Sequence, residues 1–532
     1  MSMFQSVLTA RRFRLLTGSS AAIAASVALT ACGSGGSGAT PSAATPAANT
    51  GAAKADVVAG ATMNIARASE VASLDPDALA TTEDYNTQEA LYDALVRPAD
   101  DGQSVVPGLA SAWKYDASAK TYTFTMRPGL KFSDGAALTS KDVKFSILYA
   151  KKGTTYGNLL AAITSIATPD DSTVVLHISH PDALLLPGLA FAFVLPADFG
   201  GKSKAAFFKR PVSSGPFTIT SWSVGNTMSL TKNASFWDAA KVSLGKVVYH
   251  VTHDATARIN AVKSDQDQLD EYLPTAQIAQ LQKDQVYRVD PSARNTLLWT
   301  NNAKAPFDDV KVRQAAALAL DRPTLLKAVW SGYGAPVQGI IPPGVPNSQS
   351  KLTGADTWPF DVAKAKASLA ASKTPHPTIT LLVAYEGGID ATLTSAVQEE
   401  LEAVGFKVKT QVTDFATAVN QAISGSFQMF LVPNASFLPT AGEAMGFYVS
   451  TFGAVGGWDT KKADTYLEQF RTATDDAGRD AAVTAFEAWN QQLANIIPVG
   501  VANLFMAKSA RLSGLHVSPF DTYRLDEVGL TK

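Results

Sequence analysis

The sequence predicts a chain of mixed α and β structure, α/β or α+β, folded into two lobes or two plus a subdomain. Two observations carry that expectation. Strand-like apolar runs alternate with helical patterns along the chain. Roughly 470 residues follow a low-complexity front, too many for one hydrophobic core.

The front is read first. Arg11, Arg12 and Arg14 make a basic region, and residues 15–29 are apolar and Ala-rich but too short for a stable membrane span. Leu29-Thr30-Ala31-Cys32 resembles a lipobox, so residues 1–32 read as a lipoprotein signal peptide with Cys32 as the lipidated residue. Cys32 is also the single cysteine of the chain, which leaves an exported fold without intrachain disulfides. Residues 33–60 are Gly, Ser, Ala, Thr and Pro with few bulky apolar side chains, and read as a flexible tether. Anchor and tether together predict an exported, membrane-anchored protein, in a periplasmic space or on the outer face of the cytoplasmic membrane.

The elements follow in order. Thr121–Met126, T-Y-T-F-T-M, has the period of a half-buried strand. Arg127-Pro128-Gly129 stops it, Ser133-Asp134-Gly135 turns, and Thr139 caps the next helix. Further strands are predicted at 173–178, 247–251, 296–300 and 378–383, and helices at 312–319, 363–371, 393–404 and 481–493. Lys and Arg total 45 against 47 Asp and Glu, so no net field favours nucleic acid or an anionic bilayer.

Catalytic chemistry is hard to place. His250 and His253 flank the end of a predicted strand and fall on opposite faces, which disfavours a shared metal; His177 and His180 have the same parity. A Gly-x-Ser-x-Gly elbow, His-Glu-x-x-His and a phosphate-cradling Gly-x-x-x-x-Gly-Lys are all missing. No cofactor, metal or catalytic residue is predicted.

Several segments, in order, carry a family resemblance. Leu91-Tyr-Asp-Ala-Leu-Val96, Pro107-Gly-Leu-Ala-Ser-Ala-Trp113, Tyr122 to Gly135 and Leu138 to Ser146 open it. Pro211 to Phe217 with Lys232 to Trp237, Phe307 to Ala315 with Ala319-Leu-Asp-Arg322, and Gly332 to Pro336 with Ile341 to Gly344 continue it. The run resembles the family 5 extracellular solute-binding proteins, the peptide- and nickel-type receptors of ATP-driven importers. The resemblance implies an α/β, two-lobe, periplasmic-binding-protein-like fold of type II with an extra inserted subdomain and a hinge between lobes. It places lobe I at 61–88, 210–295 and 500–532, the inserted subdomain at 89–209 and lobe II at 296–499, with the hinge near 295–302 and 495–501. It makes Ser213-Ser214-Gly215 a structural turn. The expected partners are an ABC permease and ATPase complex, a small organic solute (an oligopeptide or peptide-like compound) captured between the lobes, and the membrane through the lipid; a monomer is expected, and no nucleic acid.

The same resemblance points to the ligand. Peptide-binding members hold the ligand's ammonium with an Asp in a "G-W-x-x-D" segment of the second lobe. Here Phe437 takes the Asp position and Asn434 the Trp position, with Ser436 beside them. That departure implies either a ligand with no free ammonium there, one with an apolar or aromatic face, or an acid supplied from Glu70, Glu386 or Glu443. Glu70, Val71, Ala72 and Tyr85 are the expected first-lobe contacts, and Trp299, Tyr385, Phe447 and Tyr448 the remaining second-lobe ones. An exported enzyme reusing the fold, or a receptor serving a signalling partner, stands as the alternative function.

Overall fold

The computed structural model describes residues 56–532 apart from 79–80, 100–103, 154–155, 291, 338, 349–351, 353–357, 385–390, 436–439, 449–452 and 454. The described residues belong to one compact unit, Thr50–Lys532. The signal, Cys32 and most of the tether lie outside them.

A seven-stranded sheet forms around Ala61–Arg67, with Leu244–Val251 and Leu269–Asp270 parallel to it on either side. Met63 and Ile65 are fully buried in that central strand. Thr227–Lys232 and Phe217–Ser223 extend one edge; Leu504–Lys508 and Val286–Val289 extend the other. The sheet thus gathers strands from near both ends of the chain, and the excursion between 67 and 217 builds a separate unit.

That excursion holds a four-stranded antiparallel sheet in the order Ala110–Asp116, Thr121–Met126, Thr173–Ile178, Ile163–Asp170. Helix Ser140–Lys152 follows, and Thr139 caps it as the sequence predicts, in a reciprocal box with Asp142. Asp93 ties this unit to the main sheet. It accepts from Arg97 Nε and Trp237 Nε1 at 2.8 and 2.7 Å, while its own amide donates to Ser214 Oγ at 3.0 Å. Ser214 therefore serves as a structural turn, its hydroxyl donating to Val194 O.

The other lobe is a six-stranded sheet. Arg294–Thr300 lies between Met429–Ala435 and Ile496–Ala502, antiparallel to both, and all but one of its residues are buried. Thr378–Ala384 and Lys407–Thr413 run on in parallel. Two arginines of the motif segments brace this sheet. Arg313 donates to the carbonyls of Leu493 and Phe307, and Arg322 to those of Pro498 and Trp358. Burial draws both guanidinium groups down to about 10, since neutral carbonyls replace carboxylate partners.

The chain passes between the two large sheets by way of Ser292 and Ala293 and returns through Asn503, beside the stretches expected as a hinge. Ser292 Oγ donates to Ala502 O at 2.8 Å and links the two passages. One hydrophobic cluster runs from the seven-stranded sheet through the four-stranded unit to the helices Ala441–Phe447 and Thr460–Thr472 of the second lobe.

Candidate functional site

Parallel strands direct their carboxyl ends to one edge, where α/β folds place ligands. At that edge Ala61–Arg67 runs into the segment 68–78, which two carboxylates hold in shape. Glu70 accepts from the amides of Val71 and Gly225 at 2.9 and 2.5 Å. Asp84 accepts from those of Ala72 and Ser73 at 2.7 and 3.1 Å, inside the capping box that starts helix Thr82–Leu91. Val71 is buried and Ala72 exposed, so of this run Ala72 faces open space.

Tyr85, on that helix, is buried against Phe191 and Phe193 with centroids 5.4 and 5.9 Å apart. Phe191 in turn stacks on Tyr156 at 5.1 Å. Tyr156 belongs to the turn that adjoins the second lobe, where Arg471 donates to Asn158 O at 2.7 Å. On the facing side Gly442 lets helix Ala441–Phe447 come close. A Cβ there would lie 2.4 Å from the Phe470 ring and 3.1 Å from Leu184, a residue of the four-stranded unit. First lobe, inserted unit and second lobe therefore meet at one seam.

The second-lobe aromatics are packed together. Trp299 is 1 % exposed, stacked on Trp458 at 5.9 Å and edge-on to Tyr448 at 5.5 Å. Tyr448 donates its hydroxyl to Ile340 O at 3.0 Å, an oxygen that Asn295 Nδ2 also reaches. Phe447, next along, is 40 % exposed. Asn434 contributes backbone pairing with Asn295. Tyr385, Glu386, Ser436 and Phe437 lie outside the described residues.

Below the aromatic group, Glu487 is fully buried and accepts the amides of Ile340 and Ile341 at 3.0 and 2.8 Å. Burial pushes its carboxyl up to about 7 against the pull of those two amides.

The histidines take separate partners. His250 Nδ1 meets Asp267 at 2.8 Å beside a polar depression of about 330 Å³, and His253 Nδ1 donates to Ala68 O at 2.8 Å. Arg258, which also lines that depression, is committed to Asp270 and to the carbonyls of Thr252, His253 and Tyr272. Among the described residues no cluster of His, Cys, Asp and Glu suits a metal, and no helix is long and apolar enough to cross a membrane.

Sequence reasoning passed over Tyr156 and Asp77. Neither belongs to a motif or a periodic run, and only the fold brings them to the seam.

Comparison with known proteins agrees with this architecture. Residues 104–456 match the family described as bacterial extracellular solute-binding proteins, family 5 Middle. The glutathione-binding protein GsiB of Escherichia coli (strain K12) is 25% identical over 491 residues, 88% of this chain and 94% of that one. The binding protein AgaA of A. tumefaciens R10, solved with agropinic acid, superposes with a TM-score of 0.77 at 26% identity, over 88% of this chain and 99% of that one. DppA from Helicobacter pylori, solved with the peptide STSA, gives a TM-score of 0.77 at 21% identity, over 89% of this chain and 99% of that one.

Proposed function

The chain belongs to the bacterial extracellular solute-binding proteins of family 5, and from that membership we propose that it captures a peptide or peptide-like solute between its lobes for an ATP-driven importer. The observation that carries this reading is the seam where segment 68–85, the turn at Tyr156 and helix Ala441–Phe447 converge. A ligand lodged there touches both lobes only when they are together, so its binding energy favours the closed form. A permease and ATPase complex would recognise that form. Lobe I at 61–88, 210–295 and 500–532, an inserted subdomain at 89–209 and lobe II at 296–499 are the proposed moving parts. Lipid on Cys32 and the tether 33–60 would keep the monomer beside the importer.

The protein acts without catalysis in this reading. Native mass spectrometry of the full chain, purified gently from its own host, tests it. A copurified peptide is the expected result. Turnover of ester, peptide or glycoside substrates that disappears in His250→Ala or His253→Ala would replace the receptor with an enzyme.

A second reading, a neutral or aromatic solute that is not a peptide, is favoured by Phe437 at the position where peptide-binding members carry Asp. The solved neighbours carry different ligands, agropinic acid in one and a peptide in the other, so the fold alone does not fix the choice.

A further inference from the structure

Asp75 stands in the turn 73–78, at the edge to which the parallel strands of the first large sheet run, and is 6 % exposed. One of its carboxylate oxygens accepts the amide of Asp77 at 3.0 Å, which closes the turn, and also the hydroxyl of Tyr149 at 2.7 Å. The other meets Lys204 Nζ at 2.7 Å. Both partners come from the excursion that builds the four-stranded unit. Tyr149 lies on helix Ser140–Lys152, and Lys204 opens helix Lys204–Lys209. Among the described residues Lys204 is the one cation paired with this buried carboxylate, so its removal would leave the charge uncompensated.

A strained stretch of backbone holds those two side chains. Asp198, Phe199, Gly200 and Gly201 all have positive φ, of 51, 52, 63 and 77°. A bulky residue at such an angle is an outlier that persists where its surroundings over-determine it. The surroundings here are aromatic. The Phe199 ring stands perpendicular to Tyr149 and Phe145, with centroids 5.5 and 5.2 Å apart, and edge-on to Phe208 at 5.7 Å. Tyr149 lies nearly parallel to Phe145 at 6.3 Å, and Lys204 Nζ sits 5.0 Å from the centre of the Tyr149 ring. The ring that carries the hydroxyl is thus fixed by its neighbours before it reaches Asp75.

We infer that Tyr149 and Lys204 are positioning residues for the solute: acting through Asp75, they hold the turn 73–78 in the shape that the ligand meets. The inference rests on the solute-receptor reading and adds a task for the four-stranded unit, that of setting one wall of the cleft from outside it. The Lys204 side chain is 49 % exposed, so the pair contributes little to global stability and its effect falls on the local order of the turn. A turn without this restraint has to be ordered by the ligand, at a cost in affinity.

The test uses the full chain and its variants Tyr149→Phe, Lys204→Met and Lys204→Arg. A set of di- and tripeptides serves for titration calorimetry, and hydrogen exchange is read by mass spectrometry. Exchange across 73–78 in the free protein is expected to rise about 5-fold in Lys204→Met and in Tyr149→Phe, with the strand Ala61–Arg67 unchanged. Affinity for the peptides that the parent binds is expected to fall about 3- to 10-fold, and Lys204→Arg to restore most of it. Unfolding midpoints should stay close to that of the parent. A midpoint that falls in step with affinity assigns both residues to the fold alone and overturns the inference. Unchanged exchange across 73–78, or faster exchange with unchanged affinity, also overturns it and leaves the receptor standing. If the parent binds none of the peptides, the peptide reading falls, while exchange across 73–78 still upholds or overturns the grip of Tyr149 and Lys204 on the turn.

Discussion

Asp182 and Arg471 meet at 3.0 Å across the seam between the four-stranded unit and the second lobe, 289 positions apart in sequence. Asp182 is 1 % exposed, and the amide of Ala183 donates to the carbonyl of Arg471 beside the pair. The pair is thus part of the packed seam, where screening by water and salt is weak.

Arg471→Met should therefore weaken ligand binding more than it weakens the fold. Opening the lobes returns both groups to water, so the closed form loses the pair and the open form does not. Affinity is expected to fall about 5- to 30-fold. Calorimetry together with small-angle scattering of the ligand-bound protein reads the effect, and unchanged affinity with an unchanged scattering profile would refute it.

Asp93 is a stability residue. It is 2 % exposed and accepts from Arg97, Ala94 and Trp237. Asp93→Asn leaves Arg97 without one of its two carboxylate partners and turns a donor toward a donor. A loss of about 3 kcal/mol in denaturant unfolding is expected.

Glu487 sets part of the pH dependence. Its folded-state value of about 7 stands above the ordinary 4.5, so the folded protein keeps a proton that the unfolded chain releases. Stability contributed by this group is present below about 4.5, declines as pH rises to about 7, and is level above that. The span is on the order of 3 kcal/mol. Glu89, pushed up to about 8 by burial, adds a decline of the same sign. Glu487→Gln should flatten the slope between pH 5 and 7, and an unaltered slope in urea titrations would count against this assignment.

Cys32→Ala should release the protein from membranes or stall its export, as read by fractionation. Undiminished attachment would mean that something other than a lipid at Cys32 holds it there.

Much of the scaffold was legible because its signals are local. The strand Thr121–Met126 follows from alternation, the cap at Thr139 from a hydroxyl three positions before Asp142, and the helix Val310–Ala319 from its spacing. The role of Arg313 and Arg322 in bracing the second sheet was not legible, since three of their carbonyl partners, Leu493, Pro498 and Trp358, are remote in sequence. Nor was the seam. Tyr156 sits in a turn of the inserted unit and Glu443 on helix Ala441–Phe447 of the second lobe, a relation with no period or motif. Trp299 and Tyr448, expected to face the ligand, pack with Trp458 inside the second lobe.

The hydrogen bond from Ser292 to Ala502 has a mechanical consequence. Two passages fastened side by side resist shear and twist far better than one strand would, yet they bend readily together across their common width. Any relative movement of the two large sheets would thereby be narrowed to a single swing, one that would return Asp182 to Arg471 in the same register each time.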